Sequence, residues 1–327
     1  MSQPVIFQHD LNIPGEQLAA KAWNELKLGG PALNPIEKLK KRIAGKRSLI
    51  YRLNGVGIDG TPVIAKRARR SCLQIERYVY QEILPVVPIR NLHFYGLIEE
   101  EDSDFGWLFL EDACGERYSE SDPLHRALAS KWLGIMHAAT AKFRPTTLLP
   151  HVGPDRYLSF LHRARRLIQE NLSNPVLNTE HTTTLKTIIA ECDTLEPHWS
   201  KIAEFCNSLP RCLVHGDFIG KNVRVRNEAT GPALCVMDWE DAGWGVPTKD
   251  IGGLDMSIYW PIVQDSWSYL DLETIQRLAN IGLIFRYLAW IAATSQGLAC
   301  EWAEWAVLDL KLYESRLAAP CQAAGWL

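Results

Sequence analysis

The spacing of apolar residues in the first 115 residues is that of β-strands with one helix among them. Apolar and β-branched runs bounded by Gly, Asn and Asp predict strands at 48–53, 62–65, 92–98 and 107–110. Between the second and third runs, residues 72–84 space their apolar side chains as a helix packed on a sheet does. Residues 1–44 are expected to form a helical extension. The sequence therefore predicts a β-rich first part that contains a single internal helix.

After Gly115 the pattern changes to the helical period. Five segments have the length and spacing of helices: 124–141, 155–172, 182–205, 272–294 and 301–317. Strand signals in this part are confined to 212–215, 223–226 and 233–237. A small β-rich part followed by a larger helical part is typical of an α+β protein. We expect one domain over 1–114 and a second over 115–327, with Cys114 and Gly115 as the flexible point between them.

Composition and charge exclude several classes of protein. A chain of 327 residues with 47% hydrophobic and 22% charged residues is typical of a globular protein with about two domains. The net charge is −3 without a basic block, which disfavours a nucleic-acid partner. Eight cysteines without a C-x-x-C pair indicate reduced thiols. The most apolar stretch, 281–293, contains Arg286 and is shorter than the roughly 20 residues of a membrane span. A soluble, cytoplasmic protein with no membrane partner is expected.

One segment combines the residues of a phosphate-transfer site. In residues 213–225, LVHGDFIGKNVRV, two apolar strands enclose a polar turn with Asp217 and Asn222. A further apolar strand ends at Asp238, which a β-hairpin would return to the same turn. Phosphoryl transfer needs a carboxylate for the attacking hydroxyl and oxygen ligands for Mg²⁺. A lone Asp217 would more simply be a turn or cap residue, and the paired motifs favour chemistry instead. His215 is expected to brace the loop.

These motifs resemble those of a known family. HGDFIGKN and MDWE look like the catalytic loop and the metal-binding turn of the aminoglycoside phosphotransferase and choline kinase superfamily, relatives of protein kinases with HGD in place of HRD. Residues 241–251 extend the resemblance to about forty residues. It implies a protein-kinase-like, two-lobed fold with a small β-rich N-lobe and a larger, mostly helical C-lobe. It also implies Asp217 as catalytic base, Asn222 and Asp238 as Mg²⁺ ligands, and ATP, with GTP as the alternative, as phosphate donor.

The resemblance also implies a nucleotide-binding lysine in the first domain. Lys66 ends a strand as the family's phosphate-binding lysine does. Glu76 in the next helix is the expected partner of Lys66, with Glu82 as the alternative. A literal G-x-G-x-x-G at 55–60 is followed by a strand and not by the helix that dinucleotide binding requires, so it is interpreted as a turn.

Two further nucleotide contacts follow from the same resemblance. The short loop at 44–48 occupies the position of a phosphate loop, where the Ser48 hydroxyl could contact phosphate. After the strand at 107–110, the family reads the adenine edge with backbone groups. In this register they are the Asp112 carbonyl and the Ala113 amide.

The acceptor is expected in the helical part, near Asp217. Aromatic and acidic side chains there would suit a cationic small molecule such as an aminoglycoside or choline. Tryptophans at helical spacing are more typical of a core, and Trp302 with Trp305 is the example that favours this interpretation. Glu240 and Asp241 add acidity beside the metal ligands, where they could hold a cation, but exposure to water is the favoured expectation.

Three functions remain open from the sequence. A Mg²⁺-dependent kinase of small-molecule hydroxyls is favoured. A kinase of protein side chains is disfavoured by HGD in place of HRD and by the lack of an Ala-Pro-Glu segment after Asp238. A non-catalytic nucleotide-binding module on the same fold is the third. The sequence names neither the acceptor nor the oligomeric state.

Overall fold

The chain divides into two structural units. The computed structural model describes residues 15–28, 34–39, 49–143 and 148–323. The first unit consists of Met1–Val86, Arg90–Arg117 and Lys221–Asp241, and the second of Val87–Ile89, Tyr118–Gly220 and Ala242–Leu327. Residues 221–241, which lie well inside the helical part of the sequence, therefore fold with the N-terminal sheet.

The first unit is built on a five-stranded antiparallel sheet. Its strands are β1 (Asn34–Lys38), β2 (Leu49–Asn54), β3 (Val63–Arg69), β4 (Phe94–Glu99) and β5 (Phe105–Glu111), in the order β1-β2-β3-β5-β4. Helix α1 (Gly15–Glu25) packs on this sheet, with the Trp23 ring edge-on to Phe109 at 5.3 Å between centroids. Apolar side chains of the central strands are fully buried beneath it, because alternate residues of a strand point to the same face.

The expected helical extension over 1–44 is correct for α1 but wrong for Asn34–Lys38, which forms the edge strand β1. Ile36 pairs with Leu53 of β2, and Lys38 with Tyr51. This five-residue segment has too few apolar positions to show a strand period, and the exposed hydrogen-bonding edge of β2 decides its structure. Residues 26–28 and Leu39 are neither helix nor strand, and residues 1–14, 29–33 and 40–44 lie outside the described residues.

The elements after β2 follow the predicted order. The glycines at 55–60 lie in the turn between β2 and β3, which contains a 3₁₀ turn at Ile58–Gly60. The helix expected at 72–84 is α2 (Arg70–Tyr78), continued by a π-helical turn, Val79–Ile83. A three-stranded sheet completes the unit: β6 (Glu116–Arg117), β9 (Val223–Glu228) and β10 (Gly231–Val236), in the order β10-β9-β6.

The second unit is mainly helical. Its helices are α3 (Pro123–Thr140), α4 (Pro154–Asn171), α5 (Thr179–Leu195), α6 (Trp199–Asn207), α7 (Thr248–Ile251), α8 (Met256–Val263), α9 (Leu272–Thr294) and α10 (Ala303–Ala323). Strands β7 (His151–Val152), β8 (Cys212–Val214) and β11 (Gly243–Gly245) form a sheet in the order β7-β11-β8. The helix expected over 182–205 is interrupted by a 3₁₀ turn, Glu196–His198, where Pro197 has no N–H to continue the helix. The α+β class is confirmed.

Helix α9 is the core of the second unit. Among the described residues, only the stretch Leu272–Ala299 is long and apolar enough to be compared with a membrane span, and 61% of its most apolar window is buried within the protein. Arg286 in this helix is 3% exposed and bonds to Glu120 and to the Gly252 carbonyl. Burial and an internally paired arginine favour a core helix.

The tryptophans of the second unit differ in their burial. Trp244 and Trp267 are buried, as expected. The expectation of a core position is wrong for Trp302 and Trp305, which are 45% and 71% exposed. Small and aliphatic residues form the buried face of α10 at Ala303, Ala306, Val307 and Leu310. Trp305 lies on the opposite, exposed face of α10. Helical spacing predicted that one face of this helix is buried, but it did not identify which face.

Candidate active site

In the first unit, a β-hairpin brings Asn222 next to Asp238. Strands β9 and β10 pair from Val223 with Val236 onward, and the Met237 amide donates to the Asn222 carbonyl at 2.9 Å. The two expected metal ligands therefore lie at the same end of one hairpin. Asn222 is 4% exposed.

The chain turns sharply at Asp238. This residue has a φ of 69°, in the left-handed region that aspartate tolerates better than most residues. A 3₁₀ turn, Trp239–Asp241, follows, and the fully buried Trp239 anchors it. Non-glycine residues in this backbone region are concentrated at functional sites.

Lys66 is the centre of a cluster of ion pairs in the first unit. It lies on β3, opposite Leu108 of β5, and its Nζ donates to Glu76 Oε1 at 2.7 Å. The same nitrogen donates to Asp238 Oδ1 and, at 3.0 Å, to Glu240 Oε2. Of the two candidate partners, Glu76 is thus the one that contacts Lys66, while Glu82 is exposed in the π-helical turn.

The expectation that Glu240 faces water is correct only in part, since its side chain is 35% exposed but also pairs with Lys66. Its carboxylate binds Lys66, because the left-handed Asp238 and the following 3₁₀ turn reverse the chain and bring position 240 back toward β3.

One ammonium faces three carboxylates in this cluster. Burial alone would lower the pKa of Lys66, but the charges of Glu76, Asp238 and Glu240 hold it well above its ordinary value. Burial raises the pKa of Glu76, against the opposing effect of Lys66, and the neighbouring carboxylates add to the rise. The cluster therefore carries more negative than positive charge.

The surplus negative charge would be relieved by a cation. Ligand oxygens of Glu76, Asp238 and Glu240 lie within 4.8 Å of one another. Glu76 Oε2 is buried and has no hydrogen-bond partner among the described residues. Carboxylate oxygens are the donors that Mg²⁺ prefers, so this cluster fits the ion.

In the segment after β5, residues 112–115, both carboxylate oxygens of Asp112 are hydrogen-bonded within the protein. Asp112 Oδ2 accepts from Arg52 Nε at 2.6 Å and Oδ1 from the Cys114 amide at 3.0 Å. Ala113 is 4% exposed, and its amide donates to no acceptor within the described part of the chain. Gly115 has a φ of 75°, and a Cβ there would lie 2.3 Å from the Val225 carbonyl oxygen. Ser48, the expected phosphate-loop residue, lies outside the described residues.

In the second unit, a buried carboxylate holds the loop that carries Asp217. The amides of His215 and Gly216 donate to Asp250 Oδ2 at 2.6 Å and to Oδ1 at 2.9 Å. The Asp217 amide donates to His215 Nδ1 at 3.2 Å, so His215 braces the loop as expected. Gly216, with a φ of 77°, allows the tight turn between the two residues.

His137 and Tyr259 extend the network beyond Asp250. His137 Nε2 lies 3.6 Å from Asp250 Oδ2, and His137 Nδ1 bonds to the Tyr259 hydroxyl at 2.9 Å. Burial acts to raise the pKa of Asp250, but its interactions with His137 and with His215 outweigh that effect and lower it. His137 is fully buried and belongs to this network.

Sequence reasoning did not assign roles to two residues of the loop network, Lys249 and Asp250. Lys249 Nζ donates to the Gly216 carbonyl and lies 3.4 Å from Asp217 Oδ1. The available signal was two adjacent charged residues, Lys249 and Asp250, in an otherwise apolar stretch just after Pro247.

Comparison with known proteins gives one family match. Residues 51–270 match the model of the phosphotransferase enzyme family. A search of curated proteins gives no significant match.

Several solved structures share the fold. A mutant of aminoglycoside 2'-phosphotransferase-IIIa in complex with GDP is 15% identical, with a TM-score of 0.65 over 94% of this chain and 99% of that chain. The choline kinase of Cryptosporidium parvum Iowa II is 9% identical, with a TM-score of 0.63 over 96% and 98%. A thermostable aminoglycoside phosphotransferase bound to ADP and hygromycin B is 16% identical, with a TM-score of 0.54 over 92% and 98%. The shared architecture is that of protein-kinase-like phosphotransferases of small molecules.

Proposed function

We propose that this chain, which belongs to the phosphotransferase enzyme family, transfers the γ-phosphoryl group of ATP to a hydroxyl of a small molecule, with Asp217 as the base. The family resemblance and the protein-kinase-like fold predicted from the sequence are confirmed. A phosphotransferase of small molecules is what these relationships support in general. The donor, the metal, the acceptor and the residue roles are our proposal.

The observation that carries the proposal is the ammonium of Lys66, held between Glu76 and Asp238. A buried lysine fixed by a helix glutamate is arranged to bind the phosphates of a nucleotide as a positive charge. The base of the nucleotide would be read by the Asp112 carbonyl and the Ala113 amide. Ala113 is a buried residue whose amide donates to no acceptor among the described residues, which supports this assignment, since buried N–H groups ordinarily have a partner.

Asn222 and Asp238 would hold a magnesium ion. They offer a carboxamide and a carboxylate oxygen at one end of the β9–β10 hairpin, and Glu240 adds a second carboxylate nearby. When bound, Mg²⁺ would neutralise charge on the phosphate oxygens.

Asp217 would orient the acceptor hydroxyl and accept its proton as the new O–P bond forms and ADP leaves. Two bonds from backbone amides to Asp250 fix its loop, so the backbone that carries Asp217 does not have to be ordered during the reaction. A small amino- or ammonium-bearing alcohol is the proposed acceptor class. The similar structures include an aminoglycoside phosphotransferase and a choline kinase, both named for such substrates.

The test is release of ADP from Mg–ATP, or of GDP from Mg–GTP, across a panel of aminoglycosides, choline, methylthioribose, homoserine and sugars. We expect one class of acceptor to stimulate release.

Asp217→Asn should lower turnover by roughly 10²- to 10⁴-fold while nucleotide affinity changes little, because it removes only the base. Asp238→Ala should instead abolish the Mg²⁺-dependent part of nucleotide affinity.

The alternatives have distinct outcomes in the same assays. Phosphate incorporation into proteins with none into the panel would indicate a protein kinase. Nucleotide binding without turnover would indicate a non-catalytic module. Near-native turnover in Asp217→Asn would remove Asp217 from the role of base.

A further inference from the structure

Lys249 is a buried lysine directed at the proposed base. Its Nζ lies 3.4 Å from Asp217 Oδ1 and also donates to the carbonyl of Gly216, the residue before Asp217. The side chains of Lys249 and Asp217 are only 8% and 13% exposed. A lysine is rarely buried to this extent, because its desolvation must be offset by a partner. Here the partners belong to the loop that carries Asp217.

The backbone around Lys249 is fixed by a neighbouring helix. Arg286 of α9 donates to the Gly252 carbonyl at 2.7 Å and contacts the Lys249 carbonyl at 3.4 Å. Gly282, one turn earlier on α9, allows close packing, since a Cβ there would lie 1.8 Å from the Thr248 carbonyl oxygen. The short helix α7 is therefore held against α9 by contacts on both sides of Lys249.

The two charged residues of α7 act on different parts of the same loop. Asp250 binds the amides of His215 and Gly216 and so fixes the backbone. Lys249 reaches past them to the Asp217 carboxylate. A backbone brace alone does not set the rotamer of Asp217, whereas an ammonium bound to one carboxylate oxygen does.

We propose that Lys249 is a positioning residue for phosphoryl transfer, which holds the Asp217 carboxylate in the orientation that accepts a hydrogen bond from the acceptor hydroxyl. This inference rests on the proposed function, in which Asp217 is the base. Lys249 acts through Asp217 and does not itself bind the nucleotide.

The alternative is a purely structural lysine that only supports the Gly216 carbonyl. Such a residue would affect folding and all kinetic constants together. A residue that orients the base would lower kcat and leave the Michaelis constant for nucleotide nearly unchanged, because orientation matters in the transition state and not in nucleotide binding.

The experiment is a double-mutant cycle of Lys249→Met and Asp217→Asn, measured as ADP release from Mg–ATP with kanamycin, with choline and with water as acceptor. Lys249→Met keeps the length of the side chain without its charge. We expect kcat to fall roughly 100-fold, the loss typical of a misplaced catalytic group, with the KM for ATP changed less than about threefold. In the Asp217→Asn background the same substitution should have little further effect, since the group it orients is already lost.

Two controls make the result decisive. Lys311→Met removes a lysine from the exposed Lys311–Glu180 pair and should leave kcat unchanged. Lys249→Arg keeps the charge and should recover part of the lost turnover, and it serves in the cycle if Lys249→Met does not fold.

The inference fails if Lys249→Met has native kcat, or if its effect is the same in both backgrounds. Loss of turnover in Asp217→Asn alone would in that case leave the proposed function standing. Native turnover in Asp217→Asn would overturn both.

Discussion

At the scale of the residue, one buried carboxylate organises the loop that carries Asp217. Asp250 is fully buried and accepts two backbone N–H groups from consecutive residues. The ionised carboxylate accepts from both donors, one on each oxygen. The pKa of Asp250 is accordingly lower than its ordinary value. The charge stabilises a backbone conformation that includes the left-handed Gly216.

Asp250→Asn should therefore destabilise the protein in a pH-dependent way. The folded-state pKa of Asp250 lies below its ordinary value of 3.8, so its contribution is fully present above that value and is lost as the pH falls through the lower, folded-state value. At pH 7 we expect the substitution to reduce the free energy of unfolding by about 3 kcal/mol.

Urea unfolding of the native protein and of Asp250→Asn between pH 7 and pH 3 checks this expectation. The difference between the two should be constant down to about pH 5 and should shrink below pH 4. A difference that stays the same across the range would show that the charge of Asp250 is not what stabilises the loop.

The sequence motifs predicted which residues belong to the proposed site. They did not predict which side chains contact one another. Asp217, Asn222 and Asp238 were proposed from the order and spacing of their motifs together with the family resemblance. Whether Glu76 or Glu82 meets Lys66 depended on which face of α2 looks toward β3. The contact of Glu240 with Lys66 depended on the left-handed backbone of Asp238, which the pattern of polar and apolar residues does not predict.

At the scale of the element, packing of α7 on α9 is what places Lys249 and Asp250. A four-residue helix has little stability of its own, so its position comes from its neighbours. Gly282 makes that close approach possible. The periodic pattern of α9 predicted its bounds, 272–294, but not that this glycine faces α7.

Gly282→Ala should lower both stability and activity. The new Cβ would lie 1.8 Å from the Thr248 carbonyl oxygen, so α7 must shift. Overpacking typically costs 1–3 kcal/mol, roughly, against a gain of about 1 kcal/mol in helix propensity. We expect a melting temperature lower by a few degrees and a kcat lower by roughly tenfold, as a displaced Lys249 and Asp250 would imply.

Gly134→Ala in α3 is the matched control. A Cβ there would lie 3.2 Å from the Ile262 side chain, which can adjust, so helix propensity should dominate. Its melting temperature should be native or slightly higher, and its kcat unchanged. Equal effects of the two substitutions would mean that the contact of α9 with α7 does not position the loop.

At the scale of the whole molecule, the reactivity of the cysteines can be used to measure whether both units are folded, because most of the thiols are buried. All eight cysteines are free: five are buried, Cys72 and Cys300 are half-buried, and Cys114 is exposed. Burial raises the pKa of Cys192, Cys206 and Cys321 to about 12, which keeps these thiols protonated and unreactive near neutral pH.

A thiol reagent should therefore modify Cys114 first, the two half-buried thiols slowly, and all eight only after unfolding. Because Cys114 directly follows the Asp112 and Ala113 backbone groups proposed to read the nucleotide base, Mg–ATP should slow the first phase. Time-resolved titration with a chromogenic disulfide measures both effects. A fast phase that persists in Cys114→Ser, or one that ATP leaves unchanged, would contradict the assignment.

The sequence by itself determined the α+β class, most helices and strands, and the residues of the proposed chemistry. These depend on local period and on short motifs, which are encoded in neighbouring positions. Tertiary structure alone decided that Asn34–Lys38 is a strand, that Trp302 and Trp305 are exposed, and that the 221–241 segment folds with the N-terminal sheet. It also decided that Lys249 meets Asp217. Each of these outcomes depends on which distant surface covers a residue, and that information is carried by the whole chain rather than by the segment itself.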